Sequence, residues 1–593
     1  MSLNSSAIIT IDGQQFRQFK YLSLLQPIDG HHEFSVHIYT DWLLALGRTA
    51  ISLLGKEVLI TINAVLDNGR TEGLLFNGIV SNVTMGGTAD GNLEYCIVNG
   101  GCPTILMDNN PDIHCYEQQK LSVIIQEHLK ACKGFVNEIK INPATDSLLR
   151  YTVQYRESSY RFIRRLAEQR GEWFFYNGQQ LFFGKYKPKE WNVNYPLNVQ
   201  EFSINAGISP GKGIHKNYEY RKGCLYTEEW PSLNNGSSYV QQACSASNQL
   251  YNQPSLYRSR DSFSSQAQSE LSRLVAIYEQ HIVANRVTVK GKSGNAGVRV
   301  GDIINLSNGK DKRLQGSFLL TKVHHHYSGN GTYYNLFEGI AAETAMPKVV
   351  LDNSPYCESQ RAIIVDNNDP KGLGRVKVRF DWQTSESSPW IRIVMPYGGP
   401  GKGVYFVPEI NEEVWVAFEG SNPELPYVLG AQYNGRETPE WNDSENNIKV
   451  IKTRSGHTIQ FNDSAGKEQI SIHNKVGNSI TFDSWDKSIS IKSPESIYLE
   501  AKQLFINTQE NIAICAGESF SCYTGKDLNL QATELLQLRA ESENNLVAEK
   551  HTIHAKEVEC TAGKIKLEST KENLEIICAA QIDIQSKEKI SLF

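Results

Sequence analysis

The sequence predicts a mainly β protein whose last hundred residues form a triple-stranded β-helix, or prism, built as a needle by a homotrimer. Three observations carry this prediction. An apolar–x–apolar pair recurs on an eight-residue beat from Ile489 onward. Before it, short alternating strands broken by Gly and Pro describe a small five-stranded barrel. Before that, longer alternating strands with turn signals describe a barrel or sandwich that also carries short helices.

The terminal pairs are Ile489 and Ile491, Ile497 and Leu499, Leu504 and Ile506, Ile512 and Ile514, Phe520 and Cys522, Leu528 and Leu530, and Leu536 and Leu538. Their first members step by 8, 7, 8, 8, 8 and 8. The beat then loosens through Leu546, Ile553, Val558 and Cys560, Ile565, Leu574 and Ile582 to Ile590 and Leu592. Two apolar residues with one between them share a face only on a strand, because strand side chains alternate. A helix would show i, i+3, i+4 spacing, which is absent. A lone chain of such units has one narrow apolar face and open backbone edges. Single-chain solenoids repeat at 20 residues or more, so an eight-residue unit is too short to circle a prism unaided. Three chains, one per side, close the edges and bury every pair, each inward Leu or Ile contributing roughly 1.5–3 kcal/mol. An amphipathic sheet in an ordinary domain does not hold an eight-residue beat for so long.

At 593 residues, 40% hydrophobic and 21% charged, the chain has room for several soluble domains. A net charge of -6 gives no general attraction to nucleic acid or acidic membranes. The opening MSLNSSAIITIDG lacks the basic and apolar regions of a secretory signal, and no run reaches the ~20 apolar residues of a membrane span. The 11 Cys are scattered without metal-type spacing, which suits a reducing cytoplasm; Cys522 and Cys560 fall on inward needle positions as small hydrophobes. Export of such a chain requires a machine to carry it.

In the N-terminal half, AIITIDG, FSVHIY, KEVLITI and FNGIVSNVTM are strands, and 121–129 is a short helix. A second helix follows Ser158 or Ser159 as N-cap, with Phe162, Ile163, Leu166 and Ala167 on one face and Arg164, Arg165 and Glu168 on the other; Gly171 ends it. The basic side reads as a solvated or interface face in preference to a phosphate site. His324, His325 and His326 sit on one strand, so at most two converge, and no acidic or thiol ligand stands at zinc spacing. No metal and no cofactor is expected.

Residues 347–360 read as a linker, followed by the small barrel at 361–436. Between Arg361 and Glu437 there are eight Lys or Arg against ten Asp or Glu, which argues against a nucleic-acid groove.

These stretches resemble the VgrG family of type VI secretion spikes. The resemblance rests first on Tyr155-Arg156-Glu157-Ser158 and on Arg165, Leu166, Glu168 and Gly171. The strands at 298–306 and 317–340 are similar to those that close the family's hub domain. In the middle, Gly374-Arg375-Val376-Lys377-Val378, Trp390-Ile391-Arg392, Pro408-Glu409-Ile410 with Glu413-Val414, and Gly420 with Pro423 and Pro426 are similar to the family's OB-fold. Gly430, Tyr433 and Asn434 close it; Ser421 stands where the family usually has Asp. The resemblance implies a barrel-containing hub at 1–346, an OB-fold at 361–436, a neck at 437–487 and the needle at 488–593.

It further implies a homotrimeric puncturing spike that docks on the Hcp tube hexamer and on baseplate proteins. Such a spike carries effectors or a PAAR-type cap, assembles in the cytoplasm, and meets the target membrane mechanically. Ile590, Leu592 and Phe593 would form the cap-docking tip. No catalytic residues are expected: the 13 residues 435–447 leave no space for a cell-wall-cleaving domain, and no GxSxG, HExxH or P-loop occurs. Within the same shape the alternative is the spike of a phage tail or an extracellular contractile injection particle. An enzyme-bearing spike or an OB-fold binding nucleic acid is a weaker alternative.

Overall fold

A computed structural model describes residues 5–591, apart from 40–42, 44–48, 66–70, 88–92, 232–235, 259–266, 310–313 and 351–352. The chain divides into two compact units, Met1–Ile491 and Lys492–Phe593. The first unit is built on a 13-stranded sheet. Its hydrogen-bonded path runs from Val199–Ala206 through Val287–Ser293, Tyr333–Ala341 and Leu314–Ser328 to Phe19–Pro27. It continues through Glu33–Ile38, Leu93–Gly101, Thr71–Gly87, Glu57–Val65 and Ser5–Ile11 to Gln14–Phe16. The centre of this path pairs residues about 300 apart in sequence, with Leu24 opposite His325 and Leu22 opposite Tyr327.

Strand alternation decides which side each residue buries. On Phe19–Pro27, Leu22 and Leu24 point inward, and on Glu33–Ile38 Phe34, Val36 and Ile38 do so. One end of the sheet serves a core of Ile9, Phe34, Phe76, Phe162 and Phe183; the other serves Val193, Val289, Phe318 and Phe337. Two apolar cores therefore lie on one continuous sheet, whose path does not close among the described residues.

The helix Leu121–Leu129 occupies the predicted span. Ser158 caps the helix Ser159–Arg170 by accepting from the Arg161 N–H at 3.3 Å, and Gly171 ends it at φ 63°, a left-handed conformation that a side chain disfavours. In the OB region, Lys377–Phe380, Gln360–Asp366, Glu413–Phe418 and Pro426–Ala431 form a four-stranded sheet, with bridges from Val376 to Ile391 and from Ile393 to Val428. Its core of Ile364, Val378, Val414 and Val416 is continuous with Tyr151, Val153 and Tyr155 of the hub strand Leu148–Glu157. Hub and OB region thus share one apolar interior. No helix among the described residues is long and apolar enough to cross a membrane.

Candidate functional site: an uncovered apolar ladder

The last five strands of the first unit, Ile448–Lys452, Thr458–Asn462, Gln469–His473, Ser479–Asp483 and Ser488–Lys492, make an antiparallel meander. Its register lines Ile451, Ile459, Ile472 and Ile480 into one cross-strand row. A second row holds Phe461, Ile470 and Phe482. Directly opposed residues share a face, so both rows lie on the same side. These seven apolar side chains are 36–48% exposed, so no layer of this chain covers them. Their signal is present in the sequence of the neck. Ile459, Ile470, Ile480, Ile489 and Ile497 step by 11, 10, 9 and 8. The turns shorten until the beat settles at eight, and in-chain pairing ends there, at Lys492.

In the second unit the apolar pairs of the sequence continue. Strands were expected in every repeat, but residues 493–591 contain none. The reason is physical: a strand is defined by backbone pairing, and this stretch of one chain has no partner beside it. The beat itself persists as bends at 502, 509–510, 517–518, 525–526 and 533–534, and on to 587–588. Several bends are fixed by one device, a side chain donating to the carbonyl three residues on: Thr524 to Asp527, Ser569 to Glu572, Cys578 to Gln581 and Ser586 to Lys589. Every ladder residue from Ile489 to Leu538 is exposed, Cys522 included, as is Cys560 beyond it. The faces still differ, since Leu504 and Ile506 are 63% and 64% exposed while Phe505 between them is 84% exposed. Ile590 is exposed too, and Leu592 and Phe593 lie outside the described residues.

Charge clasps the hub to the OB region. The helix face expected to be solvated or at an interface is packed inside the chain. Arg165 is 3% exposed; it donates to Glu157 at 3.0 Å, to the Val153 carbonyl at 2.6 Å and to Glu424 of the OB region at 3.3 Å. Glu424, also buried, accepts from Thr152 and from the Val153 N–H. Arg164 pairs with Asp29 and Glu168. In the OB loop, Arg375 grips Asp369 with two nitrogens, and the N–H groups of Lys371 and Leu373 also donate to it. The Arg375 guanidinium holds the Asp369 carboxyl well below the usual carboxylate range.

Other reactive groups serve the interior. The His324 and His326 rings converge at 3.8 Å, while His325 points the other way, fully buried between Tyr333 and Gln26. Burial pushes His325 down to about 3, so it stays neutral. No group of three metal-binding side chains occurs among the described residues. Buried Glu172, which accepts from the Ala144 N–H at 2.9 Å, is pushed up to about 7 by burial. The folded state therefore holds this proton more tightly than the unfolded chain does. That stability is fully present below the ordinary carboxyl pKa and is lost as pH rises through about 7. Glu172→Gln keeps the acceptor and removes the charge. It is expected to raise the urea midpoint at pH 8, by about 1–3 kcal/mol of stability, and to flatten the pH dependence between 4.5 and 7. An unchanged pH profile would refute this.

The comparisons agree with this architecture. A family model described as the phage tail baseplate hub (GPD) matches residues 33–331, half of the chain. A second, described as the type VI secretion system/phage-baseplate injector OB domain, matches 360–433. The type VI secretion system spike protein VgrG1c of Pseudomonas aeruginosa is 24% identical over 510 residues, covering 76% of this chain and 66% of the relative. VgrG1b of the same organism is 25% identical over 476 residues, covering 71% and 61%. The chain thus spans slightly less than two thirds of the length of these relatives. Among solved structures, the lidded Francisella PdpA–VgrG complex superposes with a TM-score of 0.52 at 8% identity, over 82% of this chain and 80% of that one. The chain belongs to the phage tail baseplate hub family, and it is similar to VgrG spike proteins.

Proposed function

We propose that three copies of this chain form the puncturing spike at the tip of a type VI secretion tail. The observation that carries the reading is the uncovered apolar side chains, two rows on the neck sheet of the first unit and the repeated pairs of the second. So many exposed apolar side chains in each unit mark association surfaces. Its own repeat favours further copies of the same chain, because identical units stay in step along the whole length. In the trimer each chain supplies the backbone partners that residues 493–591 lack, and the closed prism has no free edge. The hub and OB region, joined through Arg165 and one apolar interior, form the rigid base that docks on an Hcp-type tube and on baseplate proteins. The tip around Ile590, Leu592 and Phe593 takes a PAAR-type cap, which brings effectors with it. The role is mechanical, not catalytic, and the contractile machine exports the spike from the cytoplasm.

The mass in solution tests this. A particle of three times 66.7 kDa that co-purifies with a tube protein is expected. Removing residues 582–593 should leave the trimer intact and lose the cap. A monomer at micromolar concentration overturns the proposal.

A further inference from the structure

Where the hub meets the OB region, a cleft of about 110 Å³, open to solvent on one side, lies between hub residues around Arg150 and Tyr220 and OB residues around Trp390 and Arg392. Four guanidiniums line it: Arg150, Arg221, Arg258 and Arg392. Two carboxylates are shared among them. Glu219 takes Arg221 at 2.7 Å and lies 3.8 Å from Arg150. Glu419 takes Arg258 and lies 3.9 Å from Arg392. The third lining carboxylate, Glu424, is committed to Arg165 and Thr152 on its other side. Among the described lining residues the cations therefore outnumber the carboxylates left for them by two to one, and Lys222 and Lys371 add positive field at Glu219.

Two details point the excess charge at a ligand. The Arg150 Nη1 is buried and makes no hydrogen bond, the Glu219 carboxylate lying 3.8 Å away and beyond hydrogen-bond reach. Arg392 and Arg221 lie over the Tyr220 ring at 4.3 and 5.1 Å, so stacking holds their planar forks against the wall. The Tyr220 hydroxyl donates to the Trp390 carbonyl at 3.4 Å and ties the two walls together. Arginine only donates, and its fork matches two oxygens of one oxyanion. Water satisfies an orphan donor but leaves the charge excess in place.

We propose that this cleft binds a small tetrahedral oxyanion of the phosphate or sulfate class, which bridges Arg150 of the hub and Arg392 of the OB region. The bound anion locks the two regions together. The described lining residues all belong to one chain.

Titration calorimetry of the full-length chain with inorganic phosphate, and separately with sodium sulfate, at ionic strength fixed with sodium chloride, tests it. The expected result is saturable binding of one anion per chain. Melting is expected to rise by about 2–5 °C at saturating anion. Arg150→Gln and Arg392→Gln are each expected to weaken binding about tenfold or more, as loss of a charge-assisted hydrogen bond does. Arg392 is half-exposed at the rim, so its variant folds and decides the matter if Arg150→Gln does not fold. Binding of sulfate as well as phosphate assigns the shared tetrahedral chemistry, and binding of phosphate alone narrows it. Absence of saturable binding of either anion at about 10 mM, or binding that Arg392→Gln leaves unchanged, overturns the proposal.

Discussion

Leu530→Asp is expected to abolish the proposed trimer, while Lys526→Asp four residues away leaves it intact. Leu530 is the second member of an apolar pair, and Lys526 lies in the bend before it. Three-fold assembly turns one substitution into three carboxylates facing each other across a dry axis. Each charge costs several kcal/mol to bury unpaired, and like charges at that distance repel. Each lost Leu also forfeits roughly 1.5–3 kcal/mol of burial. Lys526 contributes its backbone N–H to the Thr524 hydroxyl, and that bond survives any side-chain change. Mass photometry at nanomolar to micromolar concentration reads the outcome. Equal effects of the two substitutions would show that the assigned inward and outward faces are wrong.

Arg165→Ala is expected to be the most damaging substitution in the hub. It strands Glu157 and the buried Glu424, which the guanidinium serves together with the Val153 carbonyl. Removing one partner of a buried ion pair costs about 3–5 kcal/mol, because the charge left behind has no solvent. Arg156→Ala is the matched comparison from the same tetrapeptide neighbourhood. Its partner Glu358 is exposed, as is Arg156 itself, so at most about 1 kcal/mol is expected. Urea unfolding followed by tryptophan fluorescence distinguishes the two. If Arg165→Ala shifts the midpoint no more than Arg156→Ala, the clasp between hub and OB region contributes nothing to stability.

What the sequence determined by itself was local. Apolar residues two apart on an eight-residue beat dictate a one-sided strand unit, and the bends at 509–510, 517–518 and 525–526 keep that beat in the folded chain. LSVIIQEHL dictates a helix, and Ser158 and Gly171 fix the ends of the next one, because propensity, capping and left-handed φ act over a few residues. Tertiary structure decided what depends on distant partners. Arg165 sits on a polar helix face that sequence assigns to solvent or an interface. Its burial follows from Glu424, 259 residues away, reaching it across the OB junction. The strand bearing His324, His325 and His326 has its register set by Phe19–Pro27, about 300 residues earlier, which sends His325 alone into the interior. The absence of strands after Lys492 has the same origin. Side-chain period is written in the chain, but a strand exists only where another backbone lies beside it to accept its hydrogen bonds.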